Sequence, residues 1–85
     1  MNIYHYEIPV DDAWHDIPLS GPIVHVACRK DIRVLHFWAL AGVSSPYTAR
    51  LRVYGTGHQV PLSAIYRGTA IIEPLVWHLF EQDTP

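Results

Sequence analysis

Short apolar runs separated by closely spaced turn residues fill the chain. The runs are rich in Val, Ile, Tyr, Phe and Trp, and most are bounded by Pro, Gly, Asp or Ser. This pattern is typical of strands joined by turns. It predicts six strands: Asn2 to Pro9, Pro22 to Cys28, Ile32 to Ala41, Ala49 to Tyr54, Ile65 to Ile72 and Leu75 to Glu81.

The residues between these runs predict how the strands connect. The segment RKD, Arg29 to Asp31, is short enough for a hairpin between the second and third strands. The pair Glu73-Pro74 predicts a tight turn between the fifth and sixth. Gly68, in the middle of the fifth strand, predicts a β-bulge or a close approach of another part of the backbone.

Helix has little support. The segment DDAWHDIPL, Asp11 to Leu19, could begin with an Asp cap, but Pro18 ends any helix there, and we allow it a single turn. The segment SAIYRG, which follows Pro61, could likewise start with a turn.

Apolar residues lie on both faces of the third, fifth and sixth strands. In the third strand, the two faces carry Leu35, Phe37 and Ala39 on one side, and Val34, Trp38 and Leu40 on the other. A sheet that is apolar on both sides has to be covered on both sides, by a second sheet or by another copy of the chain. We therefore predict an all-β fold: a small antiparallel meander that forms a sandwich or a partly open barrel.

Length and composition favour one domain that associates with itself. The 85 residues form one domain, 1–85, and a domain of this size buries only about 60% of its unfolded surface. Hydrophobic residues make up 49% of the chain and charged residues 16%, and Cys28 has no partner for a disulfide. A homo-oligomer is the remaining source of buried area, and a lone cysteine fits a reducing compartment.

The charge pattern excludes several classes of partner. The formal net charge is −2 and Lys30 is the only lysine, so we expect no contact with extended nucleic acid. The N-terminus lacks the pattern of a signal peptide, and the longest apolar run, Val34 to Val43, is too short to span a bilayer. We expect a cytoplasmic protein without a membrane partner.

The segment RVYGTGHQVP, Arg52 to Pro61, is the main candidate for a binding site. Two glycines allow positive φ angles, and successive amides at such a turn can bind an anion together with the Thr56 hydroxyl and a protonated His58. The candidate ligand-binding residues are Arg50, Arg52, Tyr54, Gly55, Thr56, Gly57, His58, Tyr66 and Arg67. The alternative is that the glycines only turn the chain and His58 packs or caps. The loop lacks the features of a P-loop or a dinucleotide fingerprint.

Metal binding and catalysis have less support. His25, His36 and His78 lie in predicted strands and could converge on zinc, but they lack the local spacing of a metal motif and have no neighbouring carboxylate in the sequence. Cys28 falls on the apolar face with Val24 and Val26, which indicates an inert thiol. We therefore expect no metal, no cofactor and no catalytic residue.

Aromatic residues are frequent, and most are expected in the core. Tyr47 and Tyr54, which lie beside polar or loop residues, are the most exposed by this criterion. Exposed aromatic side chains can stack on bases or anchor protein interfaces. Tyr54 and Tyr66 could therefore stack on the base of a bound nucleotide.

Several segments resemble a family of small uncharacterised proteins, mostly from bacteriophages of actinobacteria and related hosts. The segments are FWAL, RVYGTGHQVP, YRGT and VWHLFE, in this order, with the opening MNIYHYEIPV. The resemblance is loosest from Asp11 to Arg33, and WHLF stands where the family has a smaller residue before the histidine. It implies no established activity. It implies a phage or prophage origin, and a small protein of that kind that binds a host component.

The leading hypothesis is a non-enzymatic, homo-oligomeric binding protein in the host cytoplasm. In a counter-defence role it would sequester a nucleotide signal or block a host immune protein, so its partners would be itself and a host protein or small anionic ligand. One alternative is a small hydrolase that uses His58 or a zinc ion. The other is a structural component of the virion or of its assembly.

Overall fold

The chain folds into two antiparallel β-sheets in the computed structural model, which describes residues 1–31 and 33–83. Within these residues there are seven strands and no helix, and so no helix that is long and apolar enough to cross a membrane. The strands are β1 (Asn2–Pro9), β2 (His15–Leu19), β3 (Ile23–Cys28), β4 (Val34–Ala41), β5 (Tyr47–Gly55), β6 (Ala64–Ile72) and β7 (Leu75–Gln82). The predicted all-β class is confirmed.

The chain crosses repeatedly between the two sheets. In the described residues the first sheet has the order β1-β4-β3, and the second has the order β2-β5-β7-β6. The two predicted hairpins, β3–β4 and β6–β7, are present. The rest differs from the predicted meander, because β1 and β2 pair with strands distant in sequence. The crossings let both sheets turn one apolar face towards each other, which gives a small sandwich.

The hydrophobic core lies between the sheets. Its largest fully buried side chains are Ile8 of β1, Leu35 and Phe37 of β4, Leu51 of β5 and Leu79 of β7. Burying one such side chain contributes roughly 1.5–3 kcal/mol. The inner faces of both sheets therefore cover each other within a single chain.

The outer faces remain partly apolar, as the two-sided pattern of β4 and β7 predicts. Val34, Trp38 and Leu40 project from the outer side of β4, and Val76 and Phe80 from the outer side of β7; all five are half-buried. In both β4 and β7, the opposite sheet thus covers only one of the two apolar sides.

The strand β2 corrects the prediction of a helical turn between Asp11 and Leu19. The Ala13 N–H donates to Asp11 Oδ1 at 3.1 Å, so the aspartate closes a local turn instead of capping a helix. The segment then continues as an edge strand against β5. Pro18 is compatible with this place because an edge strand has ladder hydrogen bonds on one side only.

Gly68 lies at a β-bulge, one of the two predicted alternatives, and its close neighbour is a side chain instead of another part of the backbone. The register between β6 and β7 shifts between Tyr66 and Gly68, which is a bulge, and a Cβ on Gly68 would overlap the Cγ2 atom of Val26. The residue therefore lets β6 approach β3 of the other sheet.

A second bulge changes the inner face of β3. The register shifts between Ile23 and His25, so Val24 is exposed although the alternation placed it beside Val26 and Cys28. Ile23 packs against the core in its place.

The predicted third strand is β4, and its first predicted residue, Ile32, lies outside the described residues. The turn expected after Pro61 is present, with the Ala64 N–H donating to Pro61 O at 3.0 Å.

Candidate functional site

The loop that follows β5 is a tight turn closed by its own histidine. The His58 N–H donates to Gly55 O at 3.1 Å, and the Gly55 N–H donates to His58 Nδ1 at 3.2 Å. Gly57 has a φ of +91°, the conformation that the third position of a type II turn requires. The imidazole therefore caps the turn, and the Gly55 amide is already occupied.

A chain of hydrogen bonds leads from this loop across the outer face of the second sheet. His78 bonds Thr56 Oγ1 through Nε2 at 2.9 Å and Thr69 Oγ1 through Nδ1 at 3.0 Å. The Tyr66 hydroxyl bonds Thr69 Oγ1 in turn. The register explains the arrangement, because it places Thr69 directly beside His78. We refer to Thr56, His78, Thr69 and Tyr66 as the hydroxyl–imidazole chain.

The hydroxyl–imidazole chain has only part of the geometry of a nucleophilic triad. A threonine hydroxyl bonds one nitrogen of His78, as a nucleophile bonds its base. The other nitrogen meets the hydroxyl of Thr69, whereas a triad uses a carboxylate to stabilise the imidazolium. In the described part of the chain no carboxylate forms a hydrogen bond to His78. The members of the hydroxyl–imidazole chain therefore satisfy one another's hydrogen-bonding groups, which explains the arrangement better than a role in hydrolysis does.

Two of the candidate arginines lie along β5 and face carboxylates. Arg50 Nε is 3.8 Å from Asp16 Oδ1 of β2, and Arg52 Nη2 is 4.0 Å from Asp12 Oδ1. The Arg52 guanidinium also lies 4.7 Å from the ring centroid of Tyr54, a cation–π contact. Both arginines therefore have a carboxylate within 4.0 Å, while the buried Nε atom of Arg52 has no hydrogen-bond partner among the described residues.

Arg67 is separated from the other candidate residues. Its Nε donates to Glu81 Oε1 at 2.9 Å, and Glu81 is buried. Glu81 and Leu79 project from the core side of β7, whereas His78 projects from the outer side. Arg67 therefore bonds Glu81 on the core side of the sheet. The structure thus brings Gly55, Thr56, Gly57 and His58 together, but it does not bring Arg67 to them.

Tyr54 is buried, and the prediction that it is exposed was wrong. Only 3% of its surface is accessible, because the indole of Trp14 and the ring of Phe80 meet it edge-on at centroid distances of 6.2 and 5.6 Å. Tyr47 is exposed, as predicted. Tyr66 is 56% exposed and packs one edge against Phe80, so of the two tyrosines proposed for base stacking only Tyr66 is accessible.

A cleft of about 420 Å³ lies beside the loop. It is lined by Gly55, Thr56, His58, Pro74, Leu75, Val76 and Trp77. The buried Nε1 atom of Trp77 has no hydrogen-bond partner among the described residues. The cleft thus combines two polar side chains of the loop with an apolar wall supplied by β7.

The histidines proposed for zinc do not converge. His25 and His36 belong to the first sheet, whereas His78 belongs to the second. His36 instead lies opposite Glu7 in the β1–β4 register, and its Nδ1 is 2.7 Å from His5 Nε2. His36 has no carboxylate beside it in the sequence, but strand pairing brings Glu7 to it. The sequence shows that His5 and Glu7 lie on one face of β1, because they alternate along the strand. It does not show that this strand pairs with β4.

Burial changes the pKa of two groups near the first sheet. Burial, followed by the charge of Arg29, lowers the pKa of His36, while the carboxylate of Glu7 acts in the opposite direction. Burial raises the pKa of the half-buried Cys28 thiol. Cys28 therefore has less thiolate at neutral pH than a free thiol, as expected for an unreactive cysteine.

The strand order and the closed inner core define a small two-sheet antiparallel β-sandwich with no helix in its described residues. The chain belongs to the family described as Domain of unknown function (DUF7352), which it matches over residues 1–85. Comparisons with curated proteins and with solved structures give no match.

Proposed function

We propose that this protein is a non-enzymatic binding module that works as a homo-oligomer and acts by surface contact with another protein. The copies associate through the outer side of the β6–β7 hairpin, which we call the hairpin face. It consists of Tyr66, Ile71, Val76, Phe80 and the hydroxyl–imidazole chain between them. Tyr66 and Ile71 are 56% and 65% exposed, and Val76 and Phe80 are half-buried.

The observation that carries this proposal is the mutual pairing of the polar groups on the hairpin face. Both nitrogens of His78 and the hydroxyls of Thr56 and Thr69 already have partners. Removing such groups from water costs little, because their hydrogen bonds are kept. A surface of aromatic and aliphatic side chains around satisfied polar groups is the composition of an interface core.

The dimensions of the molecule allow such an interface. Its principal extents are 37, 29 and 16 Å, so each sheet presents a broad side of 37 by 29 Å. A stable dimer buries roughly 800 Å² on each partner, which one broad side can supply. The half-exposed apolar residues on the outer faces supply the reason for association, since a domain of this size gains much from further burial.

Contact with a protein is better supported than capture of a nucleotide. Each of the three candidate arginines, Arg50, Arg52 and Arg67, lies within 4.0 Å of a carboxylate, so a phosphate would have to compete with that carboxylate. The resemblance to small phage proteins favours a host protein as the eventual target and counter-defence as the role. The loop of residues 55–58 borders the hairpin face and would contribute to that contact.

Analytical ultracentrifugation over a range of concentrations tests self-association through the hairpin face. Wild-type protein is expected to sediment as an oligomer, and Ile71→Glu is expected to weaken association about tenfold or more. Ile3→Glu is the matched control, because Ile3 is 62% exposed on the other sheet. A wild-type protein that stays monomeric at every concentration, or equal weakening by both variants, would overturn the proposal.

Isothermal titration with cyclic and linear nucleotides tests the competing form of the proposal. Protein contact predicts no heat with any of them. Binding that is lost in Thr56→Val would instead identify the cleft at residues 55–58 as a nucleotide site.

A further inference from the structure

We propose that His5, Glu7 and His36 form a binding site for a divalent transition-metal cation, with zinc as the first candidate, on the outer face of the first sheet. The ligand atoms of these three side chains all lie within 4.8 Å of one another. The site is separate from the hairpin face, so either proposal can fail without the other.

The β1–β4 register builds the cluster. Glu7 lies opposite His36, and His5 lies two pairs further along, opposite Trp38. Alternation along each strand turns His5, Glu7 and His36 to the same side. The two imidazoles stack with a centroid distance of 5.0 Å and an interplanar angle of 9°, and Glu7 Oε1 is 3.9 Å from His36 Nδ1.

Two imidazoles and one carboxylate are a donor set that zinc and other first-row divalent cations use. His5 presents Nε2 and His36 presents Nδ1, and these atoms are 2.7 Å apart and share one proton. A cation would replace that proton. With metal–nitrogen bonds of about 2.1 Å and tetrahedral angles, the two nitrogens would need to separate to roughly 3.4 Å. The exposed ring of His5 can make this small shift.

The surroundings hold the cluster in place. His36 is only 6% exposed, and the indole of Trp38 lies between His5 and His25 at centroid distances of 5.0 and 5.6 Å. A buried ligand with a fixed ring lowers the entropy cost of assembling a site. Glu7 supplies the negative charge that a cation needs in a half-buried position.

The site borders a cleft of about 720 Å³. Glu7 and His36 line this cleft together with Arg29, Lys30 and other residues of the β3–β4 connection. Three protein ligands leave a fourth position on zinc for water or another ligand. Besides Glu7 and His36, the charged residues that line the cleft are Arg29, Lys30 and Asp31.

Titration calorimetry with zinc chloride tests the site on the full chain. Wild-type protein is expected to bind one zinc ion, and His5→Gln and Glu7→Gln are expected to weaken binding at least about tenfold. The matched controls are His25→Gln, on the same face but outside the cluster, and His58→Gln, on an exposed loop; both should bind as the wild type does. Circular dichroism establishes that each variant is folded.

Cobalt supplies a second readout. Co²⁺ bound at the cluster should quench the fluorescence of Trp38, and Trp38→Phe should lose this quenching while titration calorimetry still detects Co²⁺ binding. The proposal is overturned if wild-type protein binds no zinc at millimolar concentration, or if His5→Gln and Glu7→Gln bind it normally. It is equally overturned if binding depends on His58 or His25 instead.

Discussion

Gly68 of β6 faces Val26 of β3 with no room for a side chain between them. A Cβ at residue 68 would overlap Val26 Cγ2 and lie 2.9 Å from Val26 Cβ. The contact brings together the edges of the two sheets on one side of the sandwich. The absence of a side chain at residue 68 thus allows the two sheets to approach each other this closely.

Gly68→Ala should therefore destabilise the protein. The added methyl group has to displace Val26 or the backbone of β6, and overpacking of this kind costs about 1–3 kcal/mol in the free energy of unfolding. Urea unfolding monitored by circular dichroism measures the change.

Val26→Ala supplies the control for that interpretation. It removes the atoms that the new Cβ would meet, so Gly68→Ala should cost clearly less in the Val26→Ala background. Additive effects of the two substitutions would show that the Gly68–Val26 contact does not limit the approach of the sheets.

Gly57→Ala should destabilise the protein for a different reason. A Cβ there would meet no atom within 4 Å, but the φ of +91° is unfavourable for a residue with a side chain. The expected cost is roughly 1–2 kcal/mol. Asparagine tolerates positive φ better, so Gly57→Asn should cost less than Gly57→Ala in thermal unfolding. An equal loss in both variants would argue against backbone conformation as the cause.

The ion pair between Arg67 and Glu81 should matter more than the pair between Arg50 and Asp16. Arg67→Ala leaves the buried carboxylate without its 2.9 Å partner and should cost about 1–3 kcal/mol. Arg50→Ala removes an exposed contact at 3.8 Å and should cost less than about 1 kcal/mol. Denaturant unfolding of the two variants gives the comparison, and similar losses would contradict it.

Cys28 should react slowly with thiol reagents. Burial raises its pKa, so at pH 8 the folded protein has less thiolate than the unfolded chain, and access is also restricted. Reaction with Ellman's reagent is expected to be about tenfold or more slower in the folded protein than in guanidinium chloride.

The raised pKa of Cys28 also makes the free energy of unfolding depend on pH. Above the unfolded-state pKa of about 9.0 the unfolded chain loses the proton while the folded chain keeps it, so stability falls as the pH rises. Cys28→Ala should weaken this fall. An unchanged fall would exclude Cys28 as its source.

Alternation and turn residues predicted most of the strands because these signals are local. Six strands and both hairpins follow from runs such as Leu75 to Glu81 and from the short connections between them. The strand His15–Leu19 was missed because Asp11 and Pro18 are also signals for the ends of a helix. Only its position at a sheet edge, a tertiary property, makes Pro18 compatible with a strand.

The sequence could not predict the side-chain clusters on the outer faces, because they depend on pairing between strands that are distant in the sequence. His5 and His36 are 31 residues apart, and Glu7 and His36 are 29 apart, so no local motif could bring them together. A one-residue change of register would turn one partner to the core. For the same reason the sequence could identify Thr56 and His58 as neighbours, but it could not place Arg67 on the opposite side of the sheet.

The strand β7 holds the second sheet together. Because β7 lies between β5 and β6, a nascent chain that ends before Leu75 can form only the β2–β5 pair of that sheet. Cooperative folding should therefore wait until β7 has been synthesised, and a premature stop codon near residue 75 should yield a chain that is degraded instead of a shortened sandwich.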